Sequence, residues 1–365
     1  MTAVGERFDP RSFHTFRYLG WEVLRDGLRD ELRDRPNRDA NLVEVQCTFS
    51  LEGAGASTLT FVERFEFPVA PGNESSDGVL ADHDHQRLSA ALDVLMVSAG
   101  TSYFKAAAPA RVSGVPEWLA GFAGQLYLHG LAEFALVNDL DPVRPEFSTV
   151  PGAVDVDPGG MGLVGAGNTG SAGNNSPVLV AVGGGKDSIV AIELLRSALA
   201  ANGSGHERPL VVGSVRTHRA IEATARTAGL AHLVINREID PALLRLNDVG
   251  ALNGHVPVTA INSAALAVCA VLNGFGTVVM SNEWSASVPV AEHRGLAVNH
   301  QWSKSLACEQ LLAGLLPVEY FSILRPLHEV EICRRFAALP QYFDVVTSCN
   351  RAYTAVGRAA GTRWC

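Results

Sequence analysis

The residues Gly183-Gly184-Gly185-Lys186-Asp187-Ser188 follow directly on an apolar run at 178–182. Three glycines let backbone N–H groups come close to an anion. A helix starting there adds N–H donors with no intrahelical acceptor and the positive end of a dipole. Lys186 contributes a cation and Ser188 a hydroxyl at the cap position. The pattern is a phosphate cradle, and spacing narrows which kind. A Walker A loop needs G-x-x-x-x-G-K-[ST]; here the first position is Val180 and the last Asp187, so it fails twice. A dinucleotide fingerprint needs glycine at 183, 185 and 188, and Ser188 breaks it. An ordinary tight strand-to-helix turn needs one glycine, not three followed by Lys-Asp-Ser.

Reactive side chains are densest between 247 and 305. Asn247 and then Leu252-Asn253-Gly254-His255-Val256-Pro257 precede an apolar stretch. Ser281-Asn282-Glu283-Trp284-Ser285 follows a strand pattern. Asn299-His300-Gln301-Trp302-Ser303-Lys304 comes next. His255, Glu283, His300 and Lys304 each have the chemistry of an acid, a base or an anion clamp. Any one of them alone is more often structural or solvated. As a group they mark a site, because ligands of open parallel sheets bind outside the carboxyl ends of the strands.

The elements that must position these residues change character along the chain. Residues 1–151 read as an α+β unit. Strands fall at 42–49 and 59–69, with period-two alternation in places, and helices at 87–96 and 116–136. Residues 152–176 are glycine-rich and aperiodic, and are expected to be a flexible linker or insertion. From 177 to 365 apolar strands (178–182, 210–214, 232–235, 277–281, 320–324) alternate with helices (from 188, 219–227, 258–272). This predicts crossover units and a parallel sheet. The 365 residues are 47% hydrophobic, with 29 Lys+Arg against 38 Asp+Glu, a formal charge of −9. About two domains are expected at this length. The acidic balance excludes a strongly basic nucleic-acid binder, and no nucleic-acid partner is expected. No signal-like apolar segment opens the chain. The longest apolar run, 264–272, is far short of the about 20 residues that span a membrane. A cytoplasmic protein with no membrane partner is expected. The six cysteines lack C-x-x-C spacing, so no disulfide scaffold is expected. Cys349 and Cys365 look like the opening of a Cys-rich zinc site. Either its other ligands lie beyond Cys365 or the pair is incidental, and two thiolates do not close such a site.

The strand–GGGKDS–helix unit resembles the pyrophosphate loop of the PP-loop ATP pyrophosphatase superfamily, S-G-G-x-D-S, with Gly183 in place of the serine. Arg325-Pro326-Leu327 is similar to a late feature of several such proteins. The resemblance implies an adenine nucleotide alpha hydrolase-like α/β domain preceded by a smaller α+β domain. ATP and Mg²⁺ would be cofactors. Gly183, Gly184, Gly185, Lys186, Asp187 and Ser188 would hold the nucleotide, and Asp187 would help position the metal. A closer resemblance runs through FVERFEFP (61–68), AGTSYFKAAAP (99–109), LNGHVPVTAIN (252–262), SNEWSAS (281–287), VNHQWSKS (298–305), EYFSILRPL (319–327) and SCNRA (348–352). Together these are similar to the UDP-N-acetyl-α-D-muramoyl-L-alanyl-L-glutamate epimerase family. That family implies inversion of a terminal L-glutamate to D-glutamate in a peptidoglycan precursor, with a functional link to the ligase that adds the L-glutamate. Adenylation of the α-carboxylate would acidify the α-proton, and hydrolysis would return the acid. The implied catalytic residues are Lys186, Asp187, His255, Glu283, His300 and Lys304. The UDP-muramoyl dipeptide would be contacted by Ser102, Tyr103, Lys105, Asn253, Asn282, Trp284 and Ser285. A PP-loop enzyme of nucleobases or amides and a non-catalytic ATP sensor are the alternatives.

Overall fold

The computed structural model describes residues 8–24, 41–53, 58–70, 82–152, 176–201 and 209–347. Most of the glycine-rich stretch (153–175), the SCNRA segment, Cys349 and Cys365 lie outside them.

The chain opens with three strands, β1 (Thr15–Leu24), β2 (Asn41–Glu52) and β3 (Leu59–Val69), in an antiparallel meander. Alternation decides their orientation: Phe16 and Tyr18, then Val45, Cys47, Phe49 and Leu51, then Phe61, Phe65 and Phe67 all turn inward. Glu63 lies among them, fully buried. The covering helix, α1 (Asp82–Phe104), is much longer than the 87–96 stretch expected. Its second half is apolar or small nearly all round, because it packs between the sheet and other helices.

β4 (Arg111–Pro116), α2 (Ala120–Gly130), α3 (Ala132–Val137) and β5 (Glu146–Val150) follow. The single helix expected over 116–136 is instead a short 3-10 turn plus two helices, broken at Leu131. The glycine loop then separates β6 (Val178–Ala181) from α4 (Lys186–Ala201). Next come β7 (Leu210–Val215), α5 (Arg219–Ala228), β8 (His232–Glu238), α6 (Pro241–Val249) and α7 (Val258–Leu272). The chain continues with β9 (Thr277–Met280), a small hairpin β10 (Ala291–His293) and β11 (Leu296–Val298), α8 (Leu306–Leu315), β12 (Glu319–Ser322) and α9 (Glu329–Ala337).

Among the described residues, ten strands form one sheet in the order β12-β9-β6-β7-β8-β3-β2-β1-β4-β5. The run from β12 to β8 is parallel throughout. Antiparallel pairing of β3 with β8, Arg64 to Glu238 through Glu66 to Asn236, joins it to the N-terminal strands. The two units expected from the sequence therefore share one sheet. α1 and α7 pack on each other and cover one face across the join. On the parallel half, Val178, Val180 and Val212 face Ile189, Ile192 and Ile221 of α4 and α5. Leu179 and Val278 belong to the core of α7 on the opposite face. Burial on both faces is why these strands read as unbroken apolar runs. No helix among the described residues is long and apolar enough to cross a membrane.

The chain runs outward from β6 through β7 to β8, then returns to place β9 on the other side of β6. The carboxyl ends of β6 and β9 thus flank the point where strand order reverses, the usual crevice for a ligand.

Candidate active site

The loop after β6 turns through Gly184, whose φ of +76° a residue with a side chain adopts only with strain. Gly183 is exposed, and a Cβ there would meet nothing within 4 Å. Thr347 N–H donates to Gly184 O at 2.9 Å, tying the loop to the segment after α9. Ser188, expected at the cap, lies inside α4 instead. It is buried, and its hydroxyl donates to Gly185 O at 2.9 Å. Lys186 Nζ sits 2.9 Å from Asp187 Oδ1 and 2.7 Å from Glu329 Oε1. Burial alone would lower this ammonium, but the two carboxylates outweigh it and hold its pKa above the usual lysine value.

These features fit a nucleotide phosphate chain. There is open space over Gly183, a helix start whose N–H groups lack intrahelical acceptors, and a charged Lys186. Asp187 fits the single carboxylate that Mg²⁺ takes beside substrate phosphates. Among the described residues no group of three His, Cys, Asp or Glu side chains forms a protein-only metal cage.

At the end of β9, Glu283 caps the 3-10 turn Trp284–Ser287. Its carboxylate accepts from Ser285 N–H at 2.8 Å and from the Ser285 hydroxyl. The Trp284 ring is half exposed and lies against the His328 ring at 4.8 Å, and the Trp284 backbone N–H donates to Leu327 O at 3.2 Å. Arg325 binds the neighbouring loops together. Its guanidinium donates to Glu283 O and Lys304 O at 2.8 Å each, and to Glu309 Oε2 at 2.5 Å. Among the described residues, the Nδ2 of buried Asn282 has no hydrogen-bond partner.

The His255 loop approaches from the other side. Lys105 Nζ donates to Asn253 Oδ1 and reaches Gly254 O at 3.5 Å. Burial lowers the Lys105 pKa. His255 Nδ1 lies 3.6 Å from Glu133 Oε2. Burial is the largest influence on His255 and lowers its pKa. Glu133 opposes that, while His300 and Lys304 push further down. His255, His300 and Lys304 therefore share one electrostatic neighbourhood.

A chain of contacts links the three groups: Lys186 to Glu329, its neighbour His328 to Trp284, Glu283 to Arg325, and Arg325 to Lys304 near His255. Ser102 and Tyr103 lie elsewhere, buried at the β3–β8 join. Arg237 donates to Ser102 Oγ at 3.3 Å, and Asp240 N–H donates to the Tyr103 hydroxyl at 3.1 Å. Sequence reading missed Glu133, Glu309 and Glu329. Each lies on a helix whose spacing to the site exists only in the fold.

Residues 32–323 match the family model of the MurL N-terminal domain. The chain belongs to the MurL N-terminal domain family. A relative from Salinispora tropica named UDP-N-acetyl-alpha-D-muramoyl-L-alanyl-L-glutamate epimerase is 44% identical over 318 residues, 84% of this chain and 63% of the relative. One of the same name from Micromonospora sp. is 42% identical over 321 residues, 84% of this chain and 64% of the relative. A third, from Xanthomonas oryzae pv. oryzae, is 36% identical over 337 residues, 88% of this chain and 69% of the relative. The chain thus spans just under two thirds of the first two relatives. The MurL N-terminal match includes the glycine loop, His255, Glu283 and Lys304 and stops just before Arg325.

Proposed function

We propose that this chain takes part in the ATP- and Mg²⁺-dependent epimerisation of the terminal L-glutamate of UDP-N-acetylmuramoyl-L-alanyl-L-glutamate. The observation that carries this reading is the 36–44% identity to relatives named as that epimerase, over 84–88% of the chain. The geometry is compatible with it, because a phosphate-suited loop follows β6 and contacts through Glu329, Trp284 and Arg325 lead from it toward Lys304. ATP, when bound, would supply the activation that turns the glutamate α-carboxylate into a neutral acyl group, which makes the α-proton far more acidic.

The chain's own residues divide the remaining work. Lys186 and the start of α4 orient phosphate oxygens, and Asp187 supplies a carboxylate for Mg²⁺. His255, whose pKa is lowered by burial and further by His300 and Lys304, is suited to accept the α-proton. In this reading Lys304, with His300, would stabilise negative charge developing beside that carbon. Glu283 is a weaker proton carrier, since both its oxygens are held by Ser285.

The test is an incubation in D₂O with ATP, Mg²⁺ and the UDP-muramoyl dipeptide, following deuterium at the glutamate α-carbon together with nucleotide products. Deuterium with AMP and pyrophosphate supports the whole reading. ADP and phosphate would refute adenylation. AMP without deuterium points to another acceptor, and ATP binding with neither product points to a sensor.

A further inference from the structure

His255 is approached from two elements. From α3, Glu133 Oε2 lies 3.6 Å from its Nδ1. From the segment after β11, His300 and Lys304 act on the same ring. The ring's backbone is held independently. Lys105 and Asn138 grip Asn253, Asn138 Nδ2 donating to Asn253 O at 2.9 Å. Gly254 lies so close to α3 that a Cβ there would come within 3.1 Å of the Phe134 ring. One short helix thus fixes both the loop that carries His255 and the carboxylate beside it.

A neutral imidazole has one N–H and one acceptor nitrogen, and its neighbours choose which is which. We propose that Glu133 is the positioning residue for His255: its carboxylate keeps the ring proton on Nδ1 and leaves Nε2 free as the proton acceptor. This rests on the proposed function for the identity of the proton, but the pairing itself does not. The 3.6 Å separation exceeds a hydrogen bond, and such contacts commonly tighten when substrate loads the site. After transfer the ring carries the abstracted proton and a positive charge. His300 and Lys304 oppose that charge, and Glu133 is the carboxylate that stabilises it. Without Glu133 the ring both loses its tautomer preference and becomes harder to protonate.

The test combines two readouts on the full chain. In ¹⁵N-histidine NMR, with His255→Asn used for assignment, Glu133→Gln should lower the His255 titration midpoint by about half a pH unit and shift the ring toward its other tautomer. Identical titration and tautomer in both proteins would overturn the pairing. In α-deuterium exchange, Glu133→Gln should lower kcat by about 10-fold or more with KM for the dipeptide precursor nearly unchanged, and Glu133→Asp should recover part of the loss. An unchanged kcat would overturn the role. If the unaltered protein exchanges no deuterium at all, the functional reading fails, while the NMR result still decides whether Glu133 sets His255. Glu133 is partly exposed, so glutamine is expected to leave the fold intact, which a thermal melt checks.

Discussion

Lys186 of the glycine loop and Glu329 at the start of α9 meet at 2.7 Å, although the parallel half of the chain separates them in sequence. In the proposed function, a nucleotide phosphate at the loop would share this ammonium with Glu329 and Asp187. Lys186→Met should weaken ATP binding by about 10- to 100-fold, the range of a charge-assisted hydrogen bond. Glu329→Gln should leave binding equal or tighter, because it releases a donor. Isothermal titration with ATP and Mg²⁺ measures both. Equal losses in the two variants would mean that Glu329 itself serves the nucleotide.

Neighbouring glycines in the loop should behave differently. Gly184→Ala puts a side chain at φ +76° and should destabilise the protein by about 1–2 kcal/mol. Gly183→Ala has open space for its Cβ, so the melt should hardly move. ATP affinity should nonetheless fall, because the methyl group fills the space assigned to phosphate. Unchanged affinity in Gly183→Ala would remove the phosphate from that side of the loop.

Beneath the β3–β8 join, Arg237 and Glu63 form an ion pair that is almost wholly buried. Burial pushes the Glu63 carboxyl up and Arg237 pulls it back down. Arg237→Leu should cost about 3–5 kcal/mol, since it leaves a buried acid unpaired. The double variant Glu63→Leu/Arg237→Leu should recover most of that in urea unfolding. A double variant no more stable than the single one would show that the pair does more than neutralise itself.

Acid should destabilise this protein through its histidines. Burial holds His129, His232 and His255 below the ordinary imidazole value. Below a pH of about 6.5 the unfolded chain therefore binds more protons than the folded one, and stability falls as pH drops through that window. Melting temperature followed from neutral to mildly acid pH checks this. His232→Gln should flatten the slope, and an unchanged slope would place the effect on other groups.

How much was legible in the sequence depended on the range of the interaction involved. The strands at 178–181, 210–215 and 277–280 were legible because burial on both faces leaves an unbroken apolar run, and α7 because its apolar stretch is long. GGGKDS was legible because a tight turn before a helix is a local requirement. β1, β4 and β5 were not, since mixed burial and a bulge after Tyr18 blur their alternation. The length of α1 was hidden because a helix buried on all sides has no amphipathic stripe.

The sequence by itself determined an acidic, globular α/β chain and the glycine-rich turn between β6 and α4, and it put the reactive side chains from His255 to Lys304 close together along the chain. These follow from composition, short spacing and local backbone geometry. Only the tertiary structure decided that one sheet runs from the first strands to the last, and that Ser102 and Tyr103 are buried in its join. It also decided that Glu133 stands beside His255, Glu309 under Arg325 and Glu329 on Lys186. Those pairings depend on which helices and strands become neighbours. That is a property of packing across the whole core, and no local pattern encodes it.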